Sequence, residues 1–242
     1  MDENLPLDAV MHARFRAQPC RIAMPDVCCD LVWVREKIFV LGPMSRARPS
    51  GYVNLDVEIL NLHPFSAREW LGMPMNHLTD REVLLADIAR ELADRLSELF
   101  FRGRAHELVR AVPAVPTTTF PPRTRHASAR TDRLARAAHA IEQGESLTHA
   151  ADLVNLSERQ LERLFADHVG LTPREYKRIL RFRRAVRAVK AGCRLAEAAA
   201  LAGFADQSHF TRDVQKLTGR PPREVLPNVG VVQDSPFRTR EY

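Results

Sequence analysis

Arg163 and Arg212 lie 49 residues apart, at the same place in a motif that occurs twice. A guanidinium is a planar fork of donors, matched to carboxylates, to phosphates and to the edge of a guanine. Cys20, Cys28 and Cys29, with His12, fall within eighteen residues and are by type soft-metal ligands or switchable thiols. Serines, histidines and acids are scattered, but no Gly-x-Ser-x-Gly, His-Glu-x-x-His or glycine-rich phosphate loop gathers them. The residue pattern therefore speaks against an enzyme and calls for no cofactor.

The arginines are positioned by the repeat itself. Leu147-Thr-His-Ala-Ala-Asp-Leu-Val-Asn155 returns 48 positions later as Leu195-Ala-Glu-Ala-Ala-Ala-Leu-Ala-Gly203, with four of nine positions identical. The segment from Ser157 through Gly170, Pro173, Arg174 and Glu175 returns at an offset of 49, as Asp206 through Gly219, Pro222, Arg223 and Glu224. Each copy reads as a short apolar helix, a tight turn and a second helix with one polar face. That is the pattern of a helix-turn-helix. Asn155 and Gly203 occupy the turn, where the chain must take a left-handed conformation that these two residue types tolerate best. Ser157 and Asp206 suit the N-cap of the helix that follows.

In the first of those helices Leu161, Leu164, Phe165 and His168 share one side, and Arg159, Glu162, Arg163 and Ala166 the other. In the second, Phe210, Val214 and Leu217 turn inward, while Ser208, Thr211, Arg212 and Gln215 turn outward. Burying the apolar side presents the arginines, as a helix entering the major groove of duplex DNA requires. Gln160 equally suits a capping box with Ser157, and Glu162 equally suits neutralising a neighbouring arginine. Gln207, Ser208 and His209 lie near the N-terminus of the second helix, where base contacts concentrate. Arg174, Arg178 and Arg223 complete the set of DNA-contacting candidates. Between the motifs a helix over 173–191 carries eight Lys/Arg. Its rise of about 28 Å is close to the ~34 Å between successive major-groove faces.

Charge divides along the chain. Residues 121–242 hold 22 Lys/Arg and 14 Asp/Glu, a balance of +8, whereas residues 1–120 hold 14 and 16, a balance of −2. A basic half joined to a near-neutral half suggests that only one half meets a polyanion. With 242 residues and 45% hydrophobic content, each half can form a packed core. No run of transmembrane length and no basic-then-apolar leader is present, so the expectation is a cytoplasmic protein without a membrane partner and with free thiols.

Residues 113–130 contain four prolines and no hydrophobic period, and read as a linker. The expected organisation is multidomain: a 1–112 sensing or dimerisation domain, the linker, a 131–227 DNA-binding domain and a 228–242 tail. The first is α+β, a small antiparallel sheet from runs at 21–24, 30–34, 37–41 and 52–62, followed by helices. Ser66-Ala-Arg-Glu69 and Thr79-Asp-Arg-Glu82 read as capping boxes, the second opening a long helix striped by Leu84, Leu85, Ile88, Leu92, Leu96 and Phe100. That stripe suits core packing by default, and a homodimer contact otherwise. The second domain is all-α, two helix-turn-helix motifs joined by a long helix.

The stretch from Asp132 to Leu226 resembles the AraC/XylS-type transcriptional regulators. The resemblance is carried by Leu-Ser-Glu-Arg-Gln-Leu-Glu-Arg-Leu-Phe over 156–165, Gly-Leu-Thr-Pro-Arg-Glu-Tyr over 170–176 and Gly-Phe-Ala-Asp-Gln-Ser-His-Phe-Thr-Arg over 203–212. It implies that Arg159, Glu162 and Arg163 face one groove, and Gln207, Ser208, His209 and Arg212 the other. Val214 and Val225 depart from it, standing where the family favours an aromatic and a tyrosine. Residues 24–34, 41–43 and 63–73 resemble the small half-cupin-like regulatory domain of some members. The resemblance implies a sequence-specific regulator controlled through its N-terminal half, and leaves open a small-molecule effector and a homodimer. The competing reading is a metal- or thiol-sensing regulator using Cys20, Cys28 and Cys29. Adjacent cysteines on an extended segment point to opposite faces, which weighs against it.

Overall fold

The computed structural model describes residues 9–16, 22–49, 51–52, 54–105 and 129–226. Its fold is the expected pair, an α+β N-terminal half and an all-α C-terminal half. Five strands form an antiparallel sheet in the order β1-β6-β3-β4-β7: β1 Ala9–Arg16, β6 Asp56–Leu62, β3 Cys29–Val34, β4 Lys37–Leu41 and β7 Glu82–Leu84. A second, two-stranded pair joins β2 (Ile22–Ala23) to β5 (Arg48–Pro49). The β3–β4 hairpin turns at Arg35 and Glu36, both at positive φ (48° and 59°), as a tight two-residue turn demands.

Alternation sorts the sheet's side chains. Leu31, Ile38, Val40, Leu60 and Leu62 face one core, while Val32, Val34, Leu41 and Val57 face a smaller one. The first core is covered by α1 (Ala67–Leu71), a single 3₁₀ turn at Met75–His77, α2 (Leu85–Ile88) and α3 (Arg90–Phe101). Leu85, Leu96 and Phe100 of the expected stripe are fully buried there, and Trp33 stacks on Phe100 with ring centroids 5.3 Å apart. Ile88 and Leu92 are half-buried against the same core, so one side of the stripe packs as a core layer.

Both N-terminal capping boxes differ from expectation. At α1 the Ser66 hydroxyl does not cap; it donates to the His63 carbonyl at 3.2 Å. At the second site there is no long helix. Thr79 donates its hydroxyl to the carbonyl of Gly170, and Glu82 accepts from the Tyr52 hydroxyl at 2.7 Å. With both capping groups engaged by distant partners, Glu82–Leu84 pairs as a strand with β4, and helix starts only at Leu85. Ala89, at φ −151° and ψ 72°, interrupts the helix before α3.

The C-terminal half runs α4 (Ala129–Glu142), α5 (Leu147–Asp152), α6 (Glu158–His168), α7 (Pro173–Lys190), α8 (Leu195–Leu201), α9 (Gln207–Thr218) and α10 (Pro222–Val225). Helix α4 already includes Ala129 and Arg130, the last two residues of the expected linker; the linker through 128 and the tail lie outside the described residues. No described helix is long and apolar enough to cross a membrane.

One hydrophobic core joins the two halves. Met24, Val27, Cys28 and Phe65 are buried together with Leu134, Phe165, Tyr176, Ile179 and Phe210. The Phe65 ring lies 6.3 Å from that of Tyr176, which meets Phe165 edge-on at 5.4 Å. Polar ties surround this plug. Arg183 of α7 pairs with Asp26, Arg68 of α1 reaches Asp167 of α6 at 2.9 Å, and Thr131 of α4 donates to Glu69 at 3.2 Å. Gly170, at φ +77°, is required by the approach, because a Cβ there would lie 2.8 Å from the Met75 carbonyl oxygen.

Asp30 sits beside this junction, accepting from the Asn61 amide at 2.5 Å. Burial, then the nearby Asp26 charge, raises its carboxyl from 3.8 to about 7. Its unfolded form ionises from about pH 4 upward while the folded form holds its proton, so stability is lost as pH rises toward 7. Asp30→Asn, which mimics the protonated group, is expected to add roughly 1–3 kcal/mol at pH 8 and nothing at pH 4. Urea unfolding at the two pH values checks this, and an equal gain at both would show that the charge is not the cause.

Candidate nucleic-acid interface

The two motifs are built alike from their residues upward. In the first, α5 starts at Ser146, whose hydroxyl accepts from the His149 amide at 3.0 Å. The chain turns at Asn155 (φ 55°), and Ser157 caps α6. In the second, α8 leads to Gly203 (φ 79°), and the Asp206 carboxylate accepts from the His209 amide at 2.6 Å to cap α9. Each cap meets amides that the helix itself cannot satisfy and leaves the helix start in solvent.

The burial of α6 and α9 follows the inward and outward faces read from the sequence. Leu161, Phe165 and His168 are buried, while Arg159, Gln160, Glu162 and Arg163 are exposed. Leu164 and Ala166 are both half-buried, at the border of the two faces. On α9, Phe210, Val214 and Leu217 are buried, and Gln207, Ser208, Arg212 and Gln215 are exposed. Val214 and Val225, the two departures, are both fully enclosed.

Three candidates have internal partners, and a fourth is half-buried. Gln160 closes a capping box, its side-chain oxygen accepting from the Ser157 amide at 2.8 Å. Thr211 donates to the Gln207 carbonyl at 2.8 Å. His209 is half-buried, edge-on to Phe204 at 5.4 Å, with its ring nitrogen 3.9 Å from Asp213. Arg178 is half-buried on α7, its buried Nε lacking a hydrogen-bond partner. Arg174 and Arg223 are exposed near the starts of α7 and α10.

The basic run of the connecting helix was not legible as bracing. Lys177 donates to the carbonyls of Gly144 (2.9 Å) and Glu145 (3.2 Å), and Arg184 donates to that of Glu142 (2.9 Å). Arg181 lies over the Phe204 ring at 4.8 Å and 3.5 Å from Asp213, while Arg183 holds Asp26. These cations tie α7 to α4, to the second motif and to the N-terminal half. Thr172 and Glu175 form a capping box ahead of Pro173, and the Thr-x-x-Glu spacing in the sequence is its local signal.

Burial also governs the titratable groups at the junction. His63 is pushed down to about 3 and His168 is lowered, in both cases first by burial. Glu142, which accepts from the Tyr176 hydroxyl at 2.6 Å, is raised to about 7 by burial. Of the candidate cysteines, the two described ones, Cys28 and Cys29, do not converge. Cys28 belongs to the core shared with the C-terminal half and Cys29 to the core beneath the sheet, back to back. Burial, then the Asp30 charge, raises the Cys29 thiol well above its ordinary range, the opposite of a ready thiolate. Cys20 lies outside the described residues, and among the described ones no group of three His, Cys, Asp or Glu could hold a metal.

The C-terminal part of the chain is similar in sequence to known proteins. A family model described as a helix-turn-helix domain matches residues 150–228. The HTH-type transcriptional regulator GbdR of Pseudomonas aeruginosa strain UCBPP-PA14 is 35% identical over 85 residues, 35% of this chain and 23% of that protein. The match thus spans less than a quarter of that relative's length. Among solved structures, a transcriptional regulator with an AraC-type DNA-binding domain from Chromobacterium violaceum is 26% identical, covering 40% of this chain and 90% of that one at a TM-score of 0.35. ToxT from Vibrio cholerae O395 is 13% identical, covering 91% of this chain and 98% of that one at a TM-score of 0.47. Over residues 150–228 the chain carries a helix-turn-helix domain.

Proposed function

We propose that the chain is a sequence-specific DNA-binding transcriptional regulator whose two recognition helices read successive major grooves, under control of its N-terminal half. The observation that carries this reading is the recurrence of one exposed arginine, Arg163 and Arg212, on the outward face of two equivalent, equivalently capped helices. Arg159, Glu162, Gln207 and Ser208 flank them on the same faces. Arg174 and Arg223 stand at helix starts, where guanidinium and backbone amides together suit phosphate. Helix α7 has 18 residues and so rises about 27 Å, a length that supports the reading of adjacent grooves. The division of the chain at 113–130 into a regulatory and a reading domain is part of the same proposal.

Selection of bound sequences from a random duplex pool tests it, and two separated clusters of preferred base pairs are the expected outcome. Arg163→Ala and Arg212→Ala should then each cost about 1–3 kcal/mol of binding. Each should relax preference at its own cluster and leave the other intact. Unchanged affinity and preference in Arg212→Ala would reduce the second motif to a phosphate contact.

A further inference from the structure

Two loops of the N-terminal half lie against each other at the edge of the sheet, one following β4 and one preceding β7. The Gly42 amide donates to the Arg81 carbonyl at 3.0 Å, and the Asp80 amide to the Pro43 carbonyl at 2.9 Å. The Asp80 carboxylate accepts from the amide and the hydroxyl of Ser45, at 2.8 and 2.6 Å. Gly42 admits no side chain, since a Cβ there would lie 1.9 Å from the Leu78 carbonyl oxygen. The paired loops are thus one stiff body.

That body extends a donor to each motif. The Thr79 hydroxyl donates to the carbonyl of Gly170, just beyond the end of α6. The Ala47 amide donates at 2.7 Å to the carbonyl of Leu217, in the last turn of α9. Carbonyls in a last helical turn have no partner in their own helix, so an outside donor there fixes the helix end. The C-terminal ends of both recognition helices are held by the same pair of loops.

Helix α7, with the core it shares with both motifs, joins them in series. The paired loops join them a second time, in parallel, and close a ring through α6, α7 and α9. The first motif is further fastened to the N-terminal half by Arg68–Asp167 and by the packing of Phe65. The second is reached at Ala47. We infer that the Ala47 amide is a positioning group for DNA reading: it sets the offset of the second recognition helix from the first, and with it the number of base pairs the protein accepts between the two clusters. The inference rests on the reading proposed above.

The test compares the full chain with Ala47→Pro, which has no amide donor, and Ala47→Gly, which keeps it. One readout needs no DNA. Spin labels on Glu162→Cys and Lys216→Cys, with Cys20 and Cys193 changed to serine, report the distance between the recognition helices. The distribution is expected to be at least about twofold broader in Ala47→Pro than in the parent or in Ala47→Gly, because the parallel link is gone. The second readout is binding to duplexes whose clusters are moved by one base pair, a shift of about 3.4 Å and a turn of about 35°. The parent should lose ~10-fold either way, and Ala47→Pro less than about threefold. Should Ala47→Pro fail to fold, Thr79→Val cuts the other link with an isosteric side chain, and Thr79→Ser restores it. Unchanged distance distributions and spacing profiles in the donor-free variants overturn the inference. A distribution that Ala47→Pro broadens, in a parent that binds no duplex, instead overturns the DNA reading and leaves only the mechanical link.

Discussion

Separating the two base-pair clusters of a bound duplex by five base pairs is expected to abolish tight binding. Five base pairs are half a helical turn, so the second cluster moves to the opposite face of the duplex, while α7 holds the second recognition helix where it was. Affinity should fall at least about a hundredfold, toward the sequence-independent level. Ten inserted base pairs return the cluster to the original face but displace it by about 34 Å, and binding should not recover. A flexible tether between motifs would restore it. Fluorescence anisotropy on the three duplexes decides between these outcomes, and recovery at ten base pairs would remove the connecting helix from the mechanism.

Phe65→Ala is expected to cost about 3–5 kcal/mol, the price of emptying a large buried aromatic site. Total stability of a domain is only about 5–15 kcal/mol, so such a loss is a large fraction of it. The position of Phe65 makes the effect unusual, because its ring belongs to the N-terminal half and fills the core of the C-terminal one. The two tryptophans, Trp33 and Trp70, both lie in the N-terminal half, whereas most helix lies in the C-terminal half. In urea the parent should therefore show coincident transitions by tryptophan fluorescence and by helix circular dichroism. In Phe65→Ala the helix signal should melt first. Coincident curves displaced by less than about 1 kcal/mol would mean that the Phe65 ring is not what couples the two halves.

What was legible in the sequence was local. The faces of α6 and α9, the left-handed turns at Asn155 and Gly203, and the caps at Ser157 and Asp206 all follow from contacts within a few residues. Where a distant group competes, local reading fails. Thr79 and Glu82 have the spacing of a capping box, but Gly170, Tyr52 and Arg48 take both side chains, and the segment pairs as β7. The connecting helix shows the same limit, since nothing in its own sequence tells that Lys177, Arg183 and Arg184 bind inward. Strand β1 was missed for a different reason. Met11, Ala13 and Phe15 alternate with His12, Arg14 and Arg16, a period-two signal that was present but lies in a charged segment, and Arg14 there pairs with Glu58 across the sheet at 2.8 Å. The joining of the two halves by Phe65 had no sequence signal, because a buried phenylalanine looks the same whichever core it fills.

The inward cations of α7 also change what an approaching duplex would feel at a distance. A guanidinium that already faces a carboxylate, as Arg183 faces Asp26, casts the field of a dipole, which fades within a few ångströms. Formal charge therefore overstates the pull of this half on a polyanion. The outward cations, Arg163 and Arg212 together with Arg133, Arg136, Arg194 and Arg220 away from those two faces, are left to cast the attractive potential. On the proposed reading, losing Arg163 or Arg212 would weaken long-range capture together with discrimination, and the cations away from the recognition faces would carry what capture remains.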